Sequence, residues 1–153
     1  MLRLVLEPNY AQLDAHRVVL QLAPVSFDAS TFELWGALLH GATGVLAPMR
    51  VPSSGDLQAL ISQHGIDTMW LTSSLFNALV DDDPTALRGL AQLLIGGEAL
   101  SIPHVRRALA AAPEVQLING YGPTETTTFA CCHPITRPLA PTVVSIPIGR
   151  PIN

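Results

Sequence analysis

Apolar residues fall in short continuous runs separated by stretches with helical spacing. Val18-Val19-Leu20-Gln21-Leu22-Ala23, Gly44-Val45-Leu46-Ala47, Thr68-Met69-Trp70-Leu71, Leu93-Leu94-Ile95 and Val115-Gln116-Leu117-Ile118 read as strands. They are mostly unbroken rather than alternating, the pattern of strands covered on both faces. The segments between them predict helices. Ser30-Thr31-Phe32-Glu33 has capping-box spacing, and Phe32, Trp35, Leu38 and Leu39 continue it as one apolar stripe ending at His40-Gly41. Ser53 or Ser54 opens a second helix carrying Leu57, Leu60 and Ile61 and stopping at Gly65. Ser101, with Pro103 in the first turn, opens a third that turns Ile102, Val105, Ala108 and Leu109 inward and Arg106 and Arg107 outward. Leu75–Leu79 and Thr85–Leu90 are shorter helical pieces around a solvated acidic turn, Asp81-Asp82-Asp83-Pro84. After His133 the chain becomes Pro-rich and extended, an edge strand or a connector.

Strand and helix alternating at this spacing predict one α/β domain over residues 1–153, a parallel sheet flanked by helices and joined by right-handed crossovers. Composition narrows the picture. At 153 residues, 48% hydrophobic and 13% charged, with mean hydropathy +0.36, the chain builds a core and is not disordered. The eight Arg are scattered around one adjacent pair, Arg106–Arg107, which argues against a nucleic-acid partner. No run approaches a membrane span, and the apolar stretch before Pro8 breaks too early for a signal peptide. The only two cysteines, Cys131 and Cys132, are adjacent; a reducing, cytoplasmic setting and a buried structural role on a helix are expected, rather than a metal site. There is no lysine at all. So apolar a domain reads as a piece with covered faces, and alone it is expected to be poorly soluble.

Ligands of open parallel sheets collect at the carboxyl ends of the strands. Four segments distant in sequence place small, polar and acidic residues there: Ser26-Phe27-Asp28-Ala29-Ser30, Leu71-Thr72-Ser73-Ser74, Gly96-Gly97-Glu98 and Asn119-Gly120-Tyr121-Gly122-Pro123-Thr124-Glu125-Thr126. The glycine pairs let backbone approach a bulky group, and Tyr121 offers a stacking face. Thr124 and Glu125 present oxygens suited to phosphate and Mg²⁺. Asp28, flanked by Phe27, Phe32 and Trp70, is a carboxylate in apolar surroundings that calls for a cation such as a ligand amino group. The five histidines are scattered and receive no catalytic role, and no Gly-x-Ser-x-Gly elbow suggests a hydrolase.

Ser26-Phe27-Asp28-Ala29-Ser30, Gly96-Gly97-Glu98-Ala99-Leu100-Ser101 and Asn119-Gly120-Tyr121-Gly122-Pro123-Thr124-Glu125, with Pro147-Ile148-Gly149-Arg150-Pro151-Ile152, resemble the adenylation domains of nonribosomal peptide synthetases over the whole chain. The resemblance implies a flavodoxin-like subdomain of an adenylate-forming enzyme. Such a domain activates an amino acid with ATP and Mg²⁺ and loads it onto a carrier protein. By position, Asp28 would hold the substrate ammonium. Ala29, Phe32, Trp70, Leu94, Gly96, Gly120, Thr128 and Phe129 would line a side-chain pocket of the valine type. Gly97, Glu98, Asn119 and Tyr121 would meet the adenine, Thr124 a phosphate, and Glu125 the metal. In a pocket like this one methylene is worth only about 1–3 kcal/mol, so isoleucine or leucine is expected to leak in. The family's phosphate loop, ribose-binding Asp and lysine-bearing C-terminal domain have no counterpart within these residues, so the remaining parts of the domain are expected as partners. Two functions follow: the substrate-selecting core of an adenylating enzyme, inactive alone, or a scaffold subdomain that binds amino acid or nucleotide weakly without reacting.

Overall fold

The five apolar runs do lie side by side. In a computed structural model, which describes residues 2–48 and 51–153, they form strands β1 (Val18–Gln21), β2 (Thr43–Leu46), β3 (Thr68–Thr72), β4 (Gln92–Gly96) and β5 (Gln116–Tyr121). All pair in parallel, in the order β2-β1-β3-β4-β5. This is the doubly wound order of flavodoxin-like sheets. Two antiparallel strands, β6 (Cys131–Pro134) and β7 (Arg150–Pro151), extend the edge beyond β5, making the sheet mixed. Adjoining ladders differ in strength: β3 meets β4, and β4 meets β5, at five paired positions each, whereas β1 meets β3 at one, Val19 opposite Thr68.

Alternation along the central strands sorts side chains onto two faces. Met69, Leu71, Leu93, Ile95 and Leu117 pack beneath helices α3 (Ser54–His64), α4 (Ser73–Asp82) and α5 (Ile102–Ala111). Trp70, Leu94 and Ile118 face the other way, onto α2 (Ala29–Leu38) and a short N-terminal helix, α1 (Leu2–Val5). Phe32 and Phe129 complete that second core; fully burying such a ring stabilises the fold by about 1.5–3 kcal/mol.

Several local expectations are corrected. The Ser30–Glu33 capping box does not form: Asp28 is the N-cap of α2, and the Ser30 hydroxyl donates instead to the carbonyls of Val25 and Phe27. The apolar stripe of α2 is also displaced. Trp35, Leu38 and Leu39 are exposed, while Ala29, Phe32, Glu33, Gly36 and Ala37 face inward, because small residues let this helix lie close to β1 and β2. Ser53 proves to be the cap of α3, in a reciprocal box with Asp56, and Gly65 ends the helix in the left-handed conformation. Helix α4 extends through Asp82, so Asp81 and Asp82 are helical rather than part of a turn. Only Pro84–Leu87 of the following piece is helical, as a 3-10 turn started by Asp83 accepting from Thr85. Cys131 and Cys132 sit on a strand, not a helix, where Cys132 packs into the second core and burial pushes its thiol up to about 12.

Candidate functional site

Strands β1, β3, β4 and β5 end on one rim, and three of the four expected segments begin inside the strands rather than after them. Gly96 is the last residue of β4, and Asn119, Gly120 and Tyr121 still belong to β5. Register places Thr72, Gly96 and Gly120 in a row across β3, β4 and β5. A Cβ on Gly96 would collide with the Gly120 carbonyl and lie 3.6 Å from Trp70 Nε1; a Cβ on Gly120 would lie 2.5 Å from Phe129 Cε1. The bare backbones of the two glycines are thus enclosed between Trp70 and Phe129.

Helix α2 brings its first turn to the same place. Asp28 is half-buried and makes no capping bond with its side chain, while Ala29 and Phe32 pack beneath it with Leu94 and Phe129. The Phe32 and Phe129 rings meet edge to face at 5.8 Å, and Phe27 lies tilted over Trp70 at 6.3 Å. The Thr128 hydroxyl donates to the Asp28 carbonyl at 2.7 Å, joining residues 100 apart in sequence. All nine residues of the expected substrate pocket therefore belong to one neighbourhood. Trp70 Nε1 within it is buried and has no hydrogen-bond partner.

The other expected contacts form an outer tier. Gly97, at φ +93°, turns the chain out of β4, and Gly97 and Glu98 are exposed. Tyr121 is 49% exposed. Thr124 and Glu125 are exposed on a 3-10 turn, Thr124–Thr126. Asn119 differs from these: it is 5% exposed, and its amide donates to the Pro147 carbonyl at 2.9 Å, so its side chain ties the returning C-terminal segment to the floor of the site.

Two residues to which the sequence assigned no site role support the site. The Ser73 hydroxyl donates to the carbonyls of Gly96 and Glu98, fixing the exit of β4. Glu33, 1% exposed, reaches back from α2 to accept from the backbone N–H groups of Leu22 and Ala23, which continue β1 where the ladder stops. Burial raises its carboxyl to about 7, against the lowering effect of those same N–H groups. Glu33 was legible only as a helix-start residue; nothing in its spacing announced a buried acid. A cavity of about 900 Å³, mostly apolar, opens beside the site at the ends of β1, β2 and β3, and shares Phe27 and Trp70 with it.

Among the described residues no three His, Cys, Asp or Glu side chains gather to hold an ion, and Glu125 belongs to no such cluster.

Comparison with known proteins gives the family. The AMP-binding enzyme family matches residues 1–153. The chain belongs to that family. It is 52% identical over 153 residues to a linear gramicidin synthase of Brevibacillus parabrevis, and 44% identical over 151 residues to tyrocidine synthase 3 of the same organism. These matches take in 100% and 98% of the chain but only 2% of each of those proteins. Among solved structures, PA1221, a nonribosomal peptide synthetase protein containing adenylation and carrier (PCP) domains, superimposes with a TM-score of 0.93 at 50% identity, over 98% of this chain and 26% of that one. The chain is thus a segment of an adenylation domain of the adenylate-forming superfamily, and its α/β sheet is the one such domains share. No helix among the described residues is long and apolar enough to cross a membrane.

Proposed function

We propose that this segment is the substrate-selecting core of an amino-acid-adenylating domain, with a small aliphatic amino acid, valine first, as its substrate. The observation that carries the reading is the meeting of Asp28 with the glycine row and its aromatic walls. Asp28 supplies a carboxylate for the substrate ammonium. Ala29, Phe32, Trp70, Leu94, Gly96, Gly120, Thr128 and Phe129 supply an enclosure with no charge to pair with a polar side chain. Isoleucine and leucine differ from valine by one methylene and are weaker alternatives.

In the reaction, a carboxylate oxygen of the amino acid attacks the α-phosphorus of ATP. An O–P bond forms, the bond to pyrophosphate breaks, and aminoacyl-AMP remains. Asp28 holds the nucleophile's amino end so that its carboxylate points to the outer tier, an orientation effect. Tyr121 offers its ring to the adenine, with Gly97 and Glu98 beside it and Asn119 shaping the floor. Thr124 would meet a phosphate oxygen and Glu125 would hold Mg²⁺, which when bound would neutralise phosphate charge. Thioester transfer to a carrier protein would follow.

The chain contains no lysine, and its exposed outer tier offers little positive charge to stabilise the departing pyrophosphate. By itself, then, the chain binds without turning over. Amino-acid-dependent exchange of labelled pyrophosphate into ATP tests both parts. The full adenylation domain containing this segment should exchange best with valine, and the 153-residue chain should not exchange. A preference for a charged or aromatic amino acid would overturn the pocket reading; robust exchange by the chain alone would overturn the requirement for further parts.

A further inference from the structure

The loop between the Thr124–Thr126 turn and β6 is held in an unfavourable backbone conformation. Thr127 and Thr128, both β-branched, lie at φ +63° and +66°. Each such residue costs about 1–3 kcal/mol and persists only where its surroundings over-determine it. Three contacts do so here. The Ala130 N–H donates to the Tyr121 carbonyl at 2.8 Å, closing the loop. Phe129, 2% exposed, is wedged edge-on against Tyr10 and Phe32. Thr128, itself 5% exposed, donates its hydroxyl to the Asp28 carbonyl.

Lining a pocket requires neither this conformation nor this bond. A threonine facing a valine side chain would present its methyl and leave the hydroxyl to find a partner elsewhere, and that partner is the backbone of the substrate anchor. We propose that Thr128 is a positioning residue: its hydroxyl ties the first turn of α2 to the loop that carries Thr124 and Glu125, setting the distance between the ammonium site and the phosphate site. The Asp28 carbonyl also accepts from the Thr31 N–H at 2.9 Å, so removing the Thr128 donor leaves no orphaned acceptor, only an untied anchor.

This inference rests on the proposed adenylation activity, and the test separates the two. In the full adenylation domain, Thr128→Val keeps shape and volume but removes the donor, whereas Thr128→Ser keeps the donor. Losing one such hydrogen bond at the anchor should raise KM for the amino acid about 5-fold in the exchange assay. KM for ATP and the preference for valine over leucine should stay unchanged, and Thr128→Ser should restore the amino-acid KM to within about 2-fold of the parent. If the parent domain itself shows no amino-acid-dependent exchange, the functional reading fails. If the parent exchanges and Thr128→Val leaves the amino-acid KM unchanged, shifts the valine preference instead, or is not rescued by Thr128→Ser, the positioning role is overturned. Should Thr128→Val fail to fold, Thr128→Cys, between Ser and Thr in volume but a weaker donor, must raise the amino-acid KM above that of Thr128→Ser for the proposal to stand.

Discussion

Gly120 and Phe129 divide a single volume between them: a methyl group on Gly120 would lie 2.5 Å from the Cε1 atom of the ring. Phe129 has nowhere to retreat, because Tyr10 and Phe32 each stand 5.8 Å from it, centroid to centroid. Gly120→Ala should therefore destabilise the chain by about 1–3 kcal/mol through overpacking, seen as a lower urea midpoint with an unchanged m-value. Gly96→Ala should cost more, because its obstacle is the Gly120 backbone rather than a side chain.

The anchor itself should behave in the opposite way. Asp28 is half-buried and its side chain caps nothing, so Asp28→Ala should change stability by less than about 1 kcal/mol. Amino-acid affinity should fall by about 30-fold or more, the scale of losing one partner of a desolvated charge pair. Calorimetric titration with valine decides the matter; unchanged affinity would remove the ammonium assignment.

Glu33 predicts a pH effect on folding. Its carboxyl is raised from 4.5 to about 7 in the fold, so the folded state holds a proton that the unfolded state releases. The associated stability is present in full below 4.5 and is lost as pH rises through about 7. A shift of this size corresponds to roughly 3 kcal/mol. Glu33→Gln cannot titrate and should flatten this part of the stability profile, as measured by urea unfolding from about pH 4.5 to about pH 8. An identical slope in both proteins would contradict the assignment.

Exposed apolar side chains bear on solution behaviour. Trp35, Leu38 and Leu39 on α2 and Leu46 on the edge strand β2 are all exposed. The chain should self-associate, with sedimentation giving a weight-average mass that grows with concentration. Replacing Leu38 and Leu46 with Lys should reduce that growth; monomeric behaviour of the unmodified chain at high concentration would count against the prediction.

The sequence was most legible where periodicity and strand-end chemistry agree. Five continuous apolar runs announced five parallel strands; Gly96 and Gly120 marked the rim because such residues are unexpected at the ends of buried strands, and Asp28 because it is an acid among aromatic residues in the connection after β1. It was least legible where size outweighed hydrophobicity. Trp35 and Leu38 are far larger apolar side chains than Gly36 and Ala37, yet the small pair faces inward, with Ala37 against Gly44 of β2 and Gly36 against Leu13. Glu33 was hidden for a related reason: capping spacing pointed it at its own helix, whereas the unfinished end of β1 offered two N–H groups that only tertiary structure brings within reach. Cys131 and Cys132 were misplaced because antiparallel pairing with β5 depends on a loop whose left-handed threonines no propensity anticipates.

The single pairing of Val19 with Thr68 leaves a seam through the sheet. On one side lie β1, β2 and α2, and with them the residue proposed to hold the amino acid; on the other lies the tightly laddered block of β3, β4 and β5, from which the residues proposed to meet the nucleotide project. Local opening begins where backbone ladders are thinnest. Amide exchange should accordingly be faster in β1 and β2 than across the seam, making the two halves of the site mechanically separable parts whose relative placement has to be maintained by side chains.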